Sequence, residues 1–170
     1  MTATPFARYA ARKGTRPAAR PGPWVVLAAW GPCGFAPVAP GTFGTLGAIP
    51  LYLVLSRLGP EAYVAFTAGF SVLAVVAAGR AGRYWGVADA SPIVIDEVAG
   101  YLVTLALVPF SWQAVATGFV LFRICDVVKP WPASAFDRMK NGFGVVMDDL
   151  GAGVWAWGAI LALRMLRVLP

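Results

Sequence analysis

The chain has 170 residues, of which 59% are hydrophobic and 13% are charged, and its mean hydropathy is +0.69. Soluble domains carry about 25% charged residues, so this composition argues against a water-exposed surface and predicts an integral membrane protein of one domain. The chain has no histidine and only two cysteines. These counts exclude Ser-His triads, histidine-ligated zinc and phospho-histidine chemistry, and they provide no disulfide framework.

The first twenty residues differ from the rest of the chain. Residues 1–20 contain five of the 14 basic residues and no acidic residue, and the net charge of the whole chain is +6. Their Pro, Ala and Arg content predicts a disordered basic tail, which would favour contact with anionic lipid. The remaining residues, 21–170, are predicted to form one membrane domain. Nucleic-acid binding is not expected, because the body of the chain is slightly acidic.

The stretch PGTFGTLGAIP leads into the first apolar segment, 44–58. It contains Gly41, Thr42 and Thr45, and the exposed amides of a glycine-rich turn at a helix start can bind an anion. These three residues are therefore candidate phosphate ligands, and a helix entry capped by threonine is the alternative. The stretch lacks the Lys of a nucleotide-binding loop, so nucleotide binding is not implied.

Two further apolar segments follow, 62–79 and 97–110. The first is the only segment that approaches the roughly 20 residues needed to span a bilayer. The others predict short apolar helices that tilt, enter the membrane part-way or pack against neighbours. The segment 97–110 begins at the acidic pair Asp96 and Glu97. An acid at a helix start interacts favourably with the helix dipole, so capping is one interpretation of this pair.

The fourth apolar segment, 112–128, ends in the motif FRICDVVKPWPASAFDR. Arg123, Asp126 and Lys129 follow a three-residue spacing, which predicts that they share one helix face, and Pro130 is expected to end the helix. A carboxylate between two cations suits a site for metal and phosphate, because guanidinium and ammonium groups bind phosphate oxygens. A row of ion pairs within the helix is the alternative.

The sequence MKNGFGVVMDD precedes the last apolar segment. Gly142 and Gly144 are expected to let the chain bend ahead of a second acidic pair, Asp148 and Asp149. Asp148 is expected where the helix starts. Arg138, a few residues earlier, is expected near lipid phosphates.

The positive-inside rule places the basic tail in the cytoplasm, and alternating the five apolar segments then puts every polar motif on the cytoplasmic side. Arg164 and Arg167 are the exception, because the alternation places them outside. The prediction is an all-α, single-domain helical bundle with short apolar helices. Five carboxylates meet at its cytoplasmic end: Asp96, Glu97, Asp126, Asp148 and Asp149. Clustered carboxylates beside membrane helices need partners. An all-oxygen donor set selects a hard cation, Mg2+ before manganese or calcium.

Several phosphatase chemistries are excluded, because the chain has neither a Cys-x5-Arg loop nor an Asp-x-Asp motif. Metal-dependent attack by water or by a carboxylate is what remains. A membrane transport protein that uses carboxylates for cation or proton passage is one alternative, and a helical binding module with a structural cation is another. Acids at the ends of apolar segments, rather than near the bilayer midplane, argue against passage.

Four stretches, PGTFGTLGAIP, IVIDEVAG, FRICDVVKPWPASAFDR and GFGVVMDDLGAG, occur in the order and spacing of the phosphatidylglycerophosphatase A family. Residues 24–163 therefore resemble that family. The resemblance implies an all-helical, magnesium-dependent enzyme of the bacterial inner membrane that hydrolyses phosphatidylglycerol phosphate to phosphatidylglycerol and inorganic phosphate. It also implies that the five carboxylates are the site acids, with Arg123 and Lys129 beside them. The tail is not part of the family pattern, and no oligomeric state is predicted.

Overall fold

Seven α-helices and one short 3-10 helix make up the described part of the chain, residues 21–169 of a computed structural model. They are α1 (Pro23–Ala28), the 3-10 helix (Cys33–Phe35), α2 (Pro40–Leu55), α3 (Pro60–Trp85), α4 (Ile95–Thr104), α5 (Trp112–Val128), α6 (Ala133–Asp137) and α7 (Gly142–Met165). No strand occurs within residues 21–169, so the predicted all-α fold is confirmed. The predicted disordered tail, 1–20, lies outside the described residues.

Two of these helices, α3 and α7, are long and apolar enough to cross a membrane, with 26 and 24 residues. About 20 residues suffice to span the hydrocarbon core. The helices α2, α4 and α5 have 16, 10 and 17 residues, which agrees with the prediction of short apolar helices. The helix α7 reaches spanning length because it begins well before the apolar segment that the sequence indicates.

The short helix α4 lies at the centre of the bundle, where α2, α3, α5 and α7 pack around it. Eight of its ten residues are buried. The Tyr101 hydroxyl donates a hydrogen bond to the Val115 carbonyl of α5 at 2.8 Å, and the Tyr63 hydroxyl of α3 donates to the Leu102 carbonyl at 2.7 Å. Because buried hydroxyls need partners, these bonds hold α4 in place between its neighbours.

The helices α4 and α7 touch at two glycines, Gly100 and Gly153. A Cβ atom on Gly153 would overlap the Gly100 carbonyl, and one on Gly100 would lie 2.7 Å from the Asp149 carbonyl oxygen. Small residues permit backbones to approach this closely. Asp96 lies one helical turn before Gly100, and Asp149 lies one turn before Gly153. The close contact between the glycines therefore brings these two acids together.

The start of α7 differs from the prediction. Gly142 and Gly144 do not bend the chain, since both are helical, and Asn141 is the N-cap whose side-chain oxygen accepts a hydrogen bond from the Gly144 amide at 2.8 Å. A Cβ on Gly142 would overlap the backbone of Gly79 in α3, so this glycine serves helix packing. Asp148 consequently lies in the second turn of α7, and a capping role for it at the helix start is excluded.

Candidate active site

Three carboxylates form a buried cluster where α4 and α7 meet. One carboxylate oxygen from each of Asp96, Glu97 and Asp149 lies within 4.8 Å of the other two. Asp96 and Glu97 occupy the first turn of α4, and Asp149 lies in the second turn of α7. The two acidic pairs of the sequence therefore meet at one end of the bundle.

The cluster has the properties of a cation site. Within the described residues, Asp96 Oδ1, Glu97 Oε2 and Asp149 Oδ2 are all buried and accept no hydrogen bond. Buried polar atoms are normally paired, and carboxylates this close together repel one another. A divalent cation would satisfy all three oxygens at once, and an all-oxygen donor set is the one that magnesium prefers. The residues of the cluster therefore fit a hard divalent ion.

Arg123 and Asp126, on the last turns of α5, lie beside the cluster. Arg123 Nη1 is 2.7 Å from Asp126 Oδ2 and 3.8 Å from Glu97 Oε1. The first contact is the i,i+3 pair expected of residues on one helix face. Nη1 is buried but makes no well-aligned hydrogen bond within the described chain, so charge rather than hydrogen-bond geometry holds it here. Its N–H groups are donors that a phosphate oxygen can use.

The first turn of α2 reaches the cluster through Gly41. The helix begins at Pro40, so the expected glycine-rich turn is the start of a helix. A Cβ on Gly41 would overlap Glu97 Oε1, so a larger residue at this position would displace the Glu97 carboxylate. Of the other residues predicted to bind phosphate, Thr45 is buried and donates its hydroxyl to the Gly41 carbonyl at 2.9 Å, while Thr42 is half-buried in the first turn.

Lys129 lies between two carboxylates, with its Nζ 2.5 Å from Asp137 Oδ1 and 2.5 Å from Asp148 Oδ2. Burial alone would lower the pKa of Lys129, but the hydrogen bonds to both carboxylates raise it above its usual value. The bond from Lys129 in turn lowers the pKa of Asp137. Because α5 ends at Val128 and Lys129 has a φ of 49°, Lys129 leaves the helix face of Arg123, contrary to the prediction.

Asp137 is a partner of the site that the sequence pattern does not reveal. It lies eight residues after Lys129, at the end of α6, and no helical period relates the two positions because Pro130 and Pro132 interrupt the chain between them. The only signal is its place in the motif that also contains Lys129. Arg138, the next residue, is exposed and forms no ion pair with a described carboxylate, so its expected contact with lipid phosphate remains a prediction.

Known proteins resemble the chain over the same residues. The family model for phosphatidylglycerophosphatase A matches residues 26–164. A phosphatidylglycerophosphatase A of Escherichia coli (strain K12) is 39% identical over 140 residues, which cover 81% of this chain and 81% of the relative. One of Haemophilus influenzae is 38% identical over 129 residues, which cover 74% of this chain and 79% of the relative. No solved structure matches the chain. The matched region contains the whole carboxylate cluster, and the chain belongs to the phosphatidylglycerophosphatase A family.

Proposed function

We propose that this protein hydrolyses phosphatidylglycerol phosphate to phosphatidylglycerol and inorganic phosphate, with magnesium held by the carboxylate cluster. The observation that carries the proposal is the group of three buried, unpartnered carboxylate oxygens next to a buried arginine nitrogen. Such a site combines a place for a divalent cation with a donor for phosphate. The relatives are named for a phosphatase acting on this lipid, and the proposal takes its substrate from them.

Asp96, Glu97 and Asp149 are the residues that would hold the ion. A bound magnesium ion supplies neutralisation of the phosphate charge and lowers the pKa of water. The protein contributes a preformed arrangement of the three carboxylates, since the contact between Gly100 and Gly153 already brings α4 and α7 together. The bilayer around the helices keeps the lipid chains in place while the head group reaches the site.

The other charged residues of the site act on the phosphate and on the proton. In the hydrolysis, a water oxygen forms a bond to phosphorus while the ester bond to the lipid oxygen breaks, and the proton that the water loses balances the one that the departing lipid oxygen takes up. Arg123 binds phosphate oxygens and stabilises the charge that develops on them. Asp126 and Asp148 lie outside the cluster, and one of them accepts the proton of the attacking water. Lys129 uses two of its three N–H donors on Asp137 and Asp148, which leaves one for phosphate.

We also propose that the site faces the cytoplasm from the bacterial inner membrane. Basic residues lie at the same end of the bundle as the cluster: Arg83 at the end of α3, Lys129, and Lys140 just before α7. Basic residues of membrane proteins concentrate on the cytoplasmic side. Cation or proton passage has less support, because the acids lie in the first turn of α4 and the second turn of α7, whereas passage requires them near the midplane.

Phosphate release from phosphatidylglycerol phosphate in detergent micelles, with magnesium and with a chelator, tests the proposal. Turnover should require magnesium. Asp96→Asn and Asp149→Asn should each abolish it while thermal unfolding stays cooperative, because asparagine keeps the shape of aspartate and removes its charge. Full turnover in the chelator would contradict the metal site. No phosphate release from the lipid under any condition would contradict the function itself.

A further inference from the structure

A cavity of about 350 Å³ lies where the end of α3 meets the start of α7. It is at the same end of the bundle as the carboxylate cluster, but no residue of the cluster lines it. Four of its nine lining residues are glycines. Its only charged lining residues within the described chain are Arg83 of α3 and Lys140, which lies two residues before α7. The lining therefore contains two positive charges and no negative one.

Neither cation of the cavity is bound to a carboxylate. Arg83 and Lys140 are both exposed, and neither forms an ion pair within residues 21–169. Lys140 Nζ donates to the Asp137 backbone carbonyl at 2.9 Å, which leaves two of its three N–H donors. The charge of Lys140 helps to lower the pKa of the Asp137 carboxyl, but that carboxylate is bound by Lys129. Asp89, the next acid along the chain after Arg83, does not line the cavity.

The cavity lies at the depth of lipid phosphates. The helix α3 has 26 residues, or about 39 Å at 1.5 Å per residue, which exceeds the hydrocarbon core of about 30 Å. The ends of α3 therefore reach the head-group layers, and Arg83 lies in its last turn. Arg83 also offsets the partial negative charge at this helix end, while the start of α7 adds a partial positive charge.

We propose that this cavity is a second phosphate site, separate from the active site, and that it binds the phosphate of an anionic phospholipid head group. A guanidinium can offer two parallel N–H donors to phosphate oxygens, and an ammonium offers a compact positive charge. A lipid such as phosphatidylglycerol brings a net negative charge to these two cations. The choline group of phosphatidylcholine would bring a third cation, which like-charge repulsion disfavours. Free inorganic phosphate has the same oxygens but is not concentrated at the membrane surface.

The occupant would lie against both long helices at the point where they touch. Gly79 of α3 and Gly142 of α7 both line the cavity, and a Cβ on Gly142 would overlap the backbone of Gly79. A head group bound here therefore bridges α3 and α7. Because unfolding separates the two helices and destroys the cavity, the lipid should bind only the folded protein and raise its unfolding temperature.

The test is a titration of the full-length protein in uncharged detergent without magnesium. Dioctanoyl phosphatidylglycerol, dioctanoyl phosphatidylcholine and inorganic phosphate are added in separate series, and Kd is obtained from the rise in unfolding temperature with concentration. We expect phosphatidylglycerol to bind most tightly. The double variant Arg83→Gln/Lys140→Gln should bind it about 25-fold more weakly, because each basic residue at a lipid surface contributes about fivefold.

The matched control is Arg57→Gln/Arg167→Gln. These two arginines are exposed and follow α2 and α7 at the opposite end of the bundle, so the control removes the same charge away from the cavity. It should bind phosphatidylglycerol as the wild type does. Equal Kd values for the two double variants would overturn the site.

The other series distinguish the source of the phosphate. If the loss in Arg83→Gln/Lys140→Gln appears with inorganic phosphate and not with phosphatidylglycerol, the assignment to a lipid head group is wrong. An equal affinity of the wild type for phosphatidylcholine would contradict the role of net charge. Lys140→Gln, outside any helix, repeats the test with an expected loss of about fivefold if the double variant fails to fold. No hydrolysis is measured, so failure of the proposed function would not affect these results.

Discussion

A single methyl group at Gly100 should disturb the cluster without changing any carboxylate. A Cβ at this position would lie 2.7 Å from the Asp149 carbonyl oxygen and 2.6 Å from the Phe122 ring. Real Cβ contacts essentially never fall below 3.0 Å, and ordinary contact begins at 3.4 Å. In Gly100→Ala, Asp149 must therefore retreat from α4 by about 0.3 to 0.7 Å, which separates it from Asp96 and Glu97.

Gly100→Ala is expected to lower both the stability of the fold and the catalytic rate. Overpacking a tight contact costs about 1–3 kcal/mol, and replacing glycine by alanine within a helix offsets about 1 kcal/mol of this. The free energy of unfolding should thus fall by at most about 2 kcal/mol, and the protein should still fold. A misplacement of about 1 Å can lower a rate about 100-fold, so a shift of half that size in Asp149 should lower kcat about tenfold.

The assay is phosphate release from phosphatidylglycerol phosphate over a series of magnesium concentrations. Gly100→Ala should show the tenfold lower kcat and should need more magnesium for half-maximal activity. Gly158→Ala is the matched control in α7, because a Cβ there meets no atom within 4 Å, and it should behave as the wild type. A wild-type kcat and magnesium requirement in Gly100→Ala would refute the reasoning that this contact positions Asp149.

Three other variants test separate parts of the protein. Asp149→Asn should abolish turnover with the fold retained. Glu61→Gln alters an exposed acid at the start of α3 and should leave turnover unchanged. Equal rates of phosphate release by the two variants would contradict the proposed role of the cluster. Deleting residues 1–20 should leave turnover in detergent nearly unchanged, and a large loss would show that the tail helps to form the site. Asp137→Asn should lower thermal stability at neutral pH, because the ion pair with Lys129 lowers the folded-state pKa of Asp137 below its usual 3.8. The ion pair therefore stabilises the fold above the unfolded-state pKa of Asp137, and this stabilisation is lost as pH falls through the lower folded-state pKa. The difference in melting temperature between Asp137→Asn and the wild type should shrink below pH 3.8. A difference that stays constant would count against the ion pair.

The sequence by itself determines the class of protein and the chemistry available to it. An apolar fraction of 59% and one segment of nearly spanning length, which became α3, follow from residue types, and the lack of histidine restricts a metal site to oxygen ligands. The order of the four motifs identifies the family. These properties depend on composition and on local order along the chain, so no knowledge of packing is needed to derive them.

Helix boundaries at the polar motifs are less predictable, because glycine favours turns locally while tertiary packing favours it within these helices. Gly41 and Gly142 illustrate the conflict. Each is helical in the structure. Gly142 packs against the backbone of Gly79, which a side chain would overlap, and Gly41 lies against the Glu97 carboxylate. Close packing of neighbouring helices therefore outweighs the local preference for a turn.

Only the tertiary structure decides which acids form the cluster and which pair with cations. Asp148 and Asp149 are neighbours in sequence, but an α-helix turns by about 100° per residue, so they face different surroundings. Asp149 faces the cluster on α4, whereas Asp148 binds Lys129, which Asp137 holds from the other side. The direction of a side chain is set by its place on the helix. What it meets there is set by how helices distant in sequence pack around it.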